Sequence, residues 1–211
     1  MEKRFSTFLI FLIGFTSISL SGKCNVSFEQ DSTKGQILLQ LSLPYINNFY
    51  LKPLDEGTKN NSGFIGYSIG IDYYYKSNHY VNFSFSQIQD FFIPIVFVDR
   101  GDEYERMGSS IFSLTNNHIV NRLTIGYGFV FSKNSWELRN ILWDKNSSTR
   151  EPVKKDNNAI GFSLSTYYHF YQCGYLGIIY RPTFLRLNVN PTFKYEHTLS
   201  LDIAWKIKLN K

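Results

Sequence analysis

The residues best equipped for chemistry lie in one short run near the C-terminus, Glu196-His197-Thr198-Leu199-Ser200. A histidine near a serine can act as general base for a hydroxyl nucleophile, with a carboxylate orienting the imidazole. The spacing works against that assembly. Side chains of an extended chain alternate between faces, so Glu196 and His197 point apart, and the residue two after His197 is Leu199 rather than serine. His197 and Ser200 are the catalytic candidates, and a histidine among interfacial aromatics is the simpler reading of His197. His79, His118 and His169 fall in or beside turns, and no Cys/His spacing suggests a zinc or other metal site. Gly126-Tyr127-Gly128 lacks the following glycine and helix of a phosphate loop, so no cofactor is expected.

The other capable side chains are charged. Asp72, Arg122, Arg181, Lys194, Glu196 and Asp202 stand at alternate positions among glycine, serine and threonine. Buried charge must be paired to be tolerable, and both signs are present. Glu196 and Asp202 are expected to partner Arg122 and Arg181, with Asp72 in the same network; a narrow ion path is the functional alternative.

The element that positions most of these groups is Phe193 to Leu209, FKYEHTLSLDIAWKIKL. Phe193, Tyr195, His197, Leu199, Leu201, Ile203, Trp205, Ile207 and Leu209 share one side, and the intervening residues are mostly polar. Strands of soluble sheets run about 5–6 residues, so this strand is too long and too two-faced for an ordinary sandwich. It suits a strand with one face in lipid and the other in a polar lumen. Seven earlier segments alternate in the same way: 36–45, 64–75, 79–86, 107–115, 121–132, 159–170 and 175–187. Short turns are predicted near 76–78, 116–119 and 172–174. Longer loops are predicted at 50–63, 89–106 and 133–157, with an intermediate one at 188–192.

Composition fits a folded chain of one domain, 211 residues with 15 Tyr and 19 Phe, and barrels carry aromatic girdles at both membrane interfaces. The net charge of +5 is spread without a basic cluster, which argues against nucleic acid as a partner. Glu2-Lys3-Arg4, the apolar run Phe8 to Leu20 and Ser19-Leu20-Ser21 read as a signal peptide over residues 1–21, followed by a periplasmic tether over 22–35 and a barrel over 36–211. Cys24 and Cys173 can pair in an oxidising compartment or remain thiols, and Cys24 is also a candidate for lipidation.

A soluble eight-stranded barrel needs an apolar interior. An eight-stranded interior is only just wide enough for side chains, so it cannot hold this many aromatic and aliphatic groups. The small and charged face must therefore point inward, giving an all-β, eight-stranded, antiparallel up-and-down transmembrane barrel with a filled polar lumen. Tyr195 and Trp205 are expected as interface anchors. Phe91 to Val98 is apolar on both parities. With Trp136 and Trp143 it forms an expected loop patch, Phe91, Phe92, Trp136 and Trp143, that either packs on itself or is offered to an extracellular partner.

The leader, the pattern over 36–209 and the ending Ile203-Ala204-Trp205-Lys206-Ile207-Lys208-Leu209 together resemble the small outer-membrane β-barrel proteins of Gram-negative bacteria, the A/X type. The resemblance implies residence in the outer membrane, outer-membrane lipid as the surrounding partner, and insertion by the barrel assembly machinery. The resemblance supports architecture more than activity, and the preferred reading is a non-enzymatic barrel whose loops carry a structural, adhesive or envelope-integrity role. Lipid A deacylases of this barrel class use a His/Ser/Glu set facing the bilayer, so a lipid A-modifying enzyme is the alternative reading, and a small passive pore is a third.

Overall fold

The computed structural model describes residues 34–91, 103–140, 153–171, 173–188 and 191–209. The leader, Cys24, and most of the expected tether lie outside these residues, as do Phe92 and Trp143. Eight strands form one closed antiparallel ring: β1 (Ile37–Leu51), β2 (Lys59–Lys76), β3 (His79–Phe91), β4 (Glu103–Val120), β5 (Leu123–Asn140), β6 (Val153–Tyr171), β7 (Gly174–Arg186) and β8 (Thr192–Lys208). Each strand pairs with its sequence neighbours, and β8 pairs with β1 from Leu38↔Lys208 to Tyr50↔His197, which removes both sheet edges.

The two faces separate by parity. In β5, Leu123, Ile125, Tyr127, Phe129 and Phe131 are on the outer wall, and Phe129 is 64% exposed. Their neighbours Thr124, Val130 and Ser132 are buried in the lumen. The outward apolar run spans Leu123 to Phe131 in β5 and Ile160 to Phe170 in β6. Both match the roughly 9–11 residues a tilted strand needs to cross the hydrocarbon layer. Above them the outward positions turn polar, at Lys133, Ser135 and Glu137 in β5 and at Asn158, Asp156 and Lys154 in β6. No described helix is long and apolar enough to cross a membrane, which says nothing of a barrel.

Several strands are longer than the sequence pattern predicts. Much of the expected loop 133–157 is strand, since β5 runs to Asn140 and β6 starts at Val153, paired from Leu123↔Tyr168 up to Leu138↔Val153. The alternation is hard to read there because both faces of an emergent wall carry polar groups. The turn expected at 116–119 lies at 121–122 instead: β4 continues to Val120, and Asn121 takes the left-handed turn conformation, φ 56°. That shift removes Arg122 from the lumen and places it, exposed, in the turn. β1 runs past Tyr45 to Leu51, and its pairing with β8 slips between Pro44 and Ile46. Such a bulge inverts the parity, so Tyr45 and Ile46 both face out while Asn47, Phe49 and Leu51 turn in.

Volume governs the interior. At Gly177 an added Cβ would lie 2.3 Å from the Tyr167 ring, so glycine leaves the space that this ring occupies in the lumen. Gly177→Val should force the ring away and cost about 1–3 kcal/mol, the usual penalty of overpacking. A guanidinium unfolding curve in detergent should show the loss, and an unchanged midpoint would count against this packing.

Candidate functional site

Among the described residues the lumen holds three buried acids and three buried bases at three levels. At the short-turn end, Lys206 Nζ meets Asp72 Oδ2 at 2.5 Å, both side chains being buried. Lys206 also donates to the Tyr80 hydroxyl at 2.7 Å, and Asn82 Nδ2 donates to Asp72 Oδ1 at 2.6 Å. The ammonium lies 4.1 Å from the Tyr80 ring centroid and 5.2 Å from that of Tyr175, an arrangement that adds cation–π attraction.

In the middle, Asp202 accepts a 2.6 Å hydrogen bond from the Tyr167 hydroxyl. Arg181 Nη1 donates to Ser200 Oγ at 3.3 Å, and Ser200 Oγ in turn donates to Asn47 Oδ1 at 2.7 Å. Arg181 and Asp202 are linked by Coulomb attraction across the lumen rather than by direct contact.

Toward the long-loop side, Glu196 gathers strands together. Its Oε1 accepts from Arg186 Nη2 at 2.8 Å, from the Lys52 backbone N–H at 2.8 Å and from Asn157 Nδ2 at 3.0 Å. Its Oε2 accepts from Asn134 Nδ2 at 2.8 Å. Arg186 also donates to the Lys52 carbonyl. One carboxylate thus ties β5, β6, β7 and β8 to the chain just past β1. Hydrogen bonds to a charged acceptor are the strong kind, and here they replace the water that a buried carboxylate lacks.

Beside this level Phe49, Leu51, Ile88, Met107, Ile111, Val130 and Trp136 form an apolar plug inside the wall. A void lined by Arg181, Ser132, Asn134, Thr183 and Thr198 has a volume of ≈ 10 Å³, about the space of one water. Side chains fill the lumen.

The pairing differs from the one expected from sequence. Glu196 pairs with Arg186 and not with Arg122, whose backbone carbonyl accepts the His169 N–H in the turn. Asp72 pairs with Lys206. Lys194 is exposed at the start of β8. Trp136, expected on the loop surface, is 2% exposed within the plug, because its even position in β5 continues the inward face. Phe91 ends β3. Tyr195 and Trp205 both sit on the outer wall at odd positions of β8, Tyr195 near the long-loop end and Trp205 opposite Leu41 near the short turns.

The two catalytic candidates lie on opposite sides of the wall. His197 faces outward and stacks on Tyr50 with centroids 5.1 Å apart, whereas Ser200 is fully buried in the lumen. No rotamer change joins them through a sheet. Among the described residues there is no group of three or more His, Cys, Asp or Glu able to hold a metal.

No protein-family model and no curated protein matches the chain. Solved structures do. Ail, the attachment invasion locus protein of Yersinia pestis, is similar with a TM-score of 0.54 and 8% identity over 83% of this chain and 100% of that one. Neisserial surface protein A gives a TM-score of 0.46 and 11% identity over 82% of this chain and 97% of its own. The N-terminal β-barrel domain of Pseudomonas aeruginosa OprF gives 0.42 and 9% over 82% and 100%. The chain has the fold of the small eight-stranded outer-membrane barrels.

Removing one partner of the Glu196–Arg186 pair strands a buried charge. Glu196→Ala should therefore destabilise the barrel by about 3–5 kcal/mol, while the double replacement Glu196→Met with Arg186→Met should recover most of that loss. Unfolding in detergent measures both. A double variant as unstable as the single one would show that hydrogen bonding to Glu196, rather than charge pairing, dominates.

Proposed function

We propose that the protein is a non-conducting, non-enzymatic barrel of the outer membrane that presents a rigid sheet and its loops outside the cell, in a structural or adhesive role. The observation that carries this reading is the emergent wall. β4, β5 and β6 continue well past the last outward apolar residues, Phe112, Phe131 and Ile160, and stay paired to one another up to Glu103↔Asn140 and Leu138↔Val153. A wall ordered this far beyond the bilayer is more than a closed lumen requires.

Among the described residues neither edge of that wall is covered to its top, β3 meeting β4 only as far as Gln89↔Gly108. β7 joins β6 only from Ala159↔Arg186, so among the described residues Val153 to Asn157 have no strand on their second side. Unpaired backbone N–H and C=O groups of this kind accept a strand from a partner. Lys154 and Lys155 discourage indiscriminate pairing there, as charges on edge strands commonly do. The mixed charge of the wall, with Lys133 and Lys154 within 4 Å of Asp156 at 3.8 and 3.5 Å, suits a polar protein surface as partner.

Against the enzyme reading stands the separation of His197 from Ser200, and against the pore reading stands the packed lumen. Export by residues 1–21 and insertion by the barrel assembly machinery belong to the proposal.

Protease treatment of intact cells should cut the chain on the long-loop side, within 92–102 or 141–152, and spare the turn at 121–122. The purified protein should migrate differently on gels before and after heating and add no conductance to a planar bilayer. Deleting it, or substituting His197→Ala, should leave the lipid A mass spectrum unchanged. Recovery in the soluble cytoplasmic fraction, or a lipid A mass change that depends on His197, would overturn the proposal.

A further inference from the structure

Two of the histidines meet on the outer wall at the short-turn end. His79, the first residue of β3, stands directly opposite His118 of β4. Their ring centroids are 4.3 Å apart with the planes at 75°, and both side chains are partly exposed. The pair lies one step below the outward apolar band, which begins on these strands at Val81 and Leu114.

His118 is held from its far side. The Tyr75 hydroxyl donates to Asn116 Oδ1 at 2.9 Å, Asn116 Nδ2 donates to the Tyr127 hydroxyl at 3.4 Å, and that hydroxyl lies 3.2 Å from His118 Nε2. Asn116 Nδ2 is itself 3.5 Å from Nε2, at the limit of a hydrogen bond. When Nε2 carries the proton and donates it to the Tyr127 oxygen, Nδ1 of His118 keeps its lone pair. Nδ1 of His79 is shielded from solvent and has no hydrogen-bond partner among the described residues.

Two imidazoles opposed on neighbouring strands can chelate. Directly opposed residues have Cβ atoms about 4.5–5.5 Å apart, and Nδ1 is the ring nitrogen nearer Cβ, so both Nδ1 atoms can reach one ion. With each nitrogen about 2.0–2.1 Å from a metal, the two ring centres come to lie roughly 4.5–5 Å apart. The observed 4.3 Å is close to that arrangement.

We propose that His79 and His118 form a two-imidazole site for a divalent transition-metal ion, Cu²⁺ in preference to Ni²⁺ or Zn²⁺, at the short-turn rim of the barrel. Imidazole suits these ions and the order of affinity among them peaks at copper, whereas Mg²⁺ and Ca²⁺ want oxygen ligands. Two protein ligands rather than three leave the remaining positions to water and make the site a weak one. Tyr127 is a positioning residue that acts through Nε2, as the partners of metal-bound histidines do. Lys76, paired in register with His79, is the charge that opposes an incoming cation. Under the membrane reading above, this rim faces the periplasm.

The test uses the full chain without an affinity tag, folded in detergent micelles and titrated with Cu²⁺, Ni²⁺, Zn²⁺ and Mg²⁺ by calorimetry, with electron paramagnetic resonance of the copper form. Cu²⁺ should bind most tightly and Mg²⁺ not at all, and the copper spectrum should show coupling to two imidazole nitrogens. His79→Gln and His118→Gln should each weaken Cu²⁺ by at least about 10-fold and leave one coupled imidazole. Tyr127→Phe should weaken it about 10-fold with both imidazoles still coupled, which separates positioning from ligation. Lys76→Gln should tighten binding, and His169→Gln and His197→Gln should leave it unchanged. Heat-modifiable migration checks that each variant is folded. Undiminished Cu²⁺ binding by the double variant His79→Gln with His118→Gln, or a parent spectrum without two coupled imidazoles, would overturn the site. Either result comes from folded barrel, so the outer-membrane reading would stand.

Discussion

A hydrocarbon layer offers no partner to a backbone N–H or C=O, and the rest of this structure depends on meeting that constraint with strands. The only sheet that meets it is one without edges. Closure by β8 on β1 is therefore the condition under which all the other strands can sit in lipid, and it explains why the C-terminal strand is among the most regular in the chain. Closure also fixes the interior volume. With eight strands there is room for side chains and little else, so the inward face must be small or must be mutually satisfied polar groups.

The lumen meets that second demand by neutrality. Asp72, Asp202 and Glu196 are offset by Lys206, Arg181 and Arg186, and neutral donors such as Tyr167, Asn82, Asn134 and Asn157 occupy remaining acceptor sites. The same arrangement that makes buried charge tolerable packs the lumen with side chains. Structural demands thus account for the side chains that look most chemical in the sequence. What the lumen does not use is displaced to the outer surface, to the emergent β4–β6 wall and to the histidine pair of β3 and β4.

How much of this was legible in the sequence depended on where the bilayer imposed a contrast. Between Leu123 and Phe131, or Ile160 and Phe170, lipid on one side and lumen on the other force a period of two, and the strands, their facing and the closed antiparallel fold can be read from it. Above the bilayer the contrast vanishes. Lys133, Asn134, Ser135 and Glu137 are polar on both faces, so strand reads as loop and Trp136 reads as a surface residue. Two bulges hid more: the slip at Pro44–Ile46 turned Phe49 and Leu51 inward, and the shift between Thr183 and Leu185 turned Arg186 inward. The acids Asp72, Glu196 and Asp202 were visible as inward charges, but their partners depend on register between strands far apart in sequence. Lys206 carried a signal, its inward parity in β8. The opposition of His197 and Ser200 was visible too, because an odd separation on a strand suffices to place it.

The claim on which everything else stands is that the apolar face looks outward into lipid and the polar face inward. Nitroxide labels placed singly at positions 127 to 132 of β5, in protein reconstituted in lipid vesicles, test it by collision with oxygen, which concentrates in the bilayer, and with a polar nickel chelate. The account predicts that oxygen accessibility alternates, high at 127, 129 and 131 and low at 128, 130 and 132. The opposite phase, or no alternation with high nickel accessibility throughout, would contradict it.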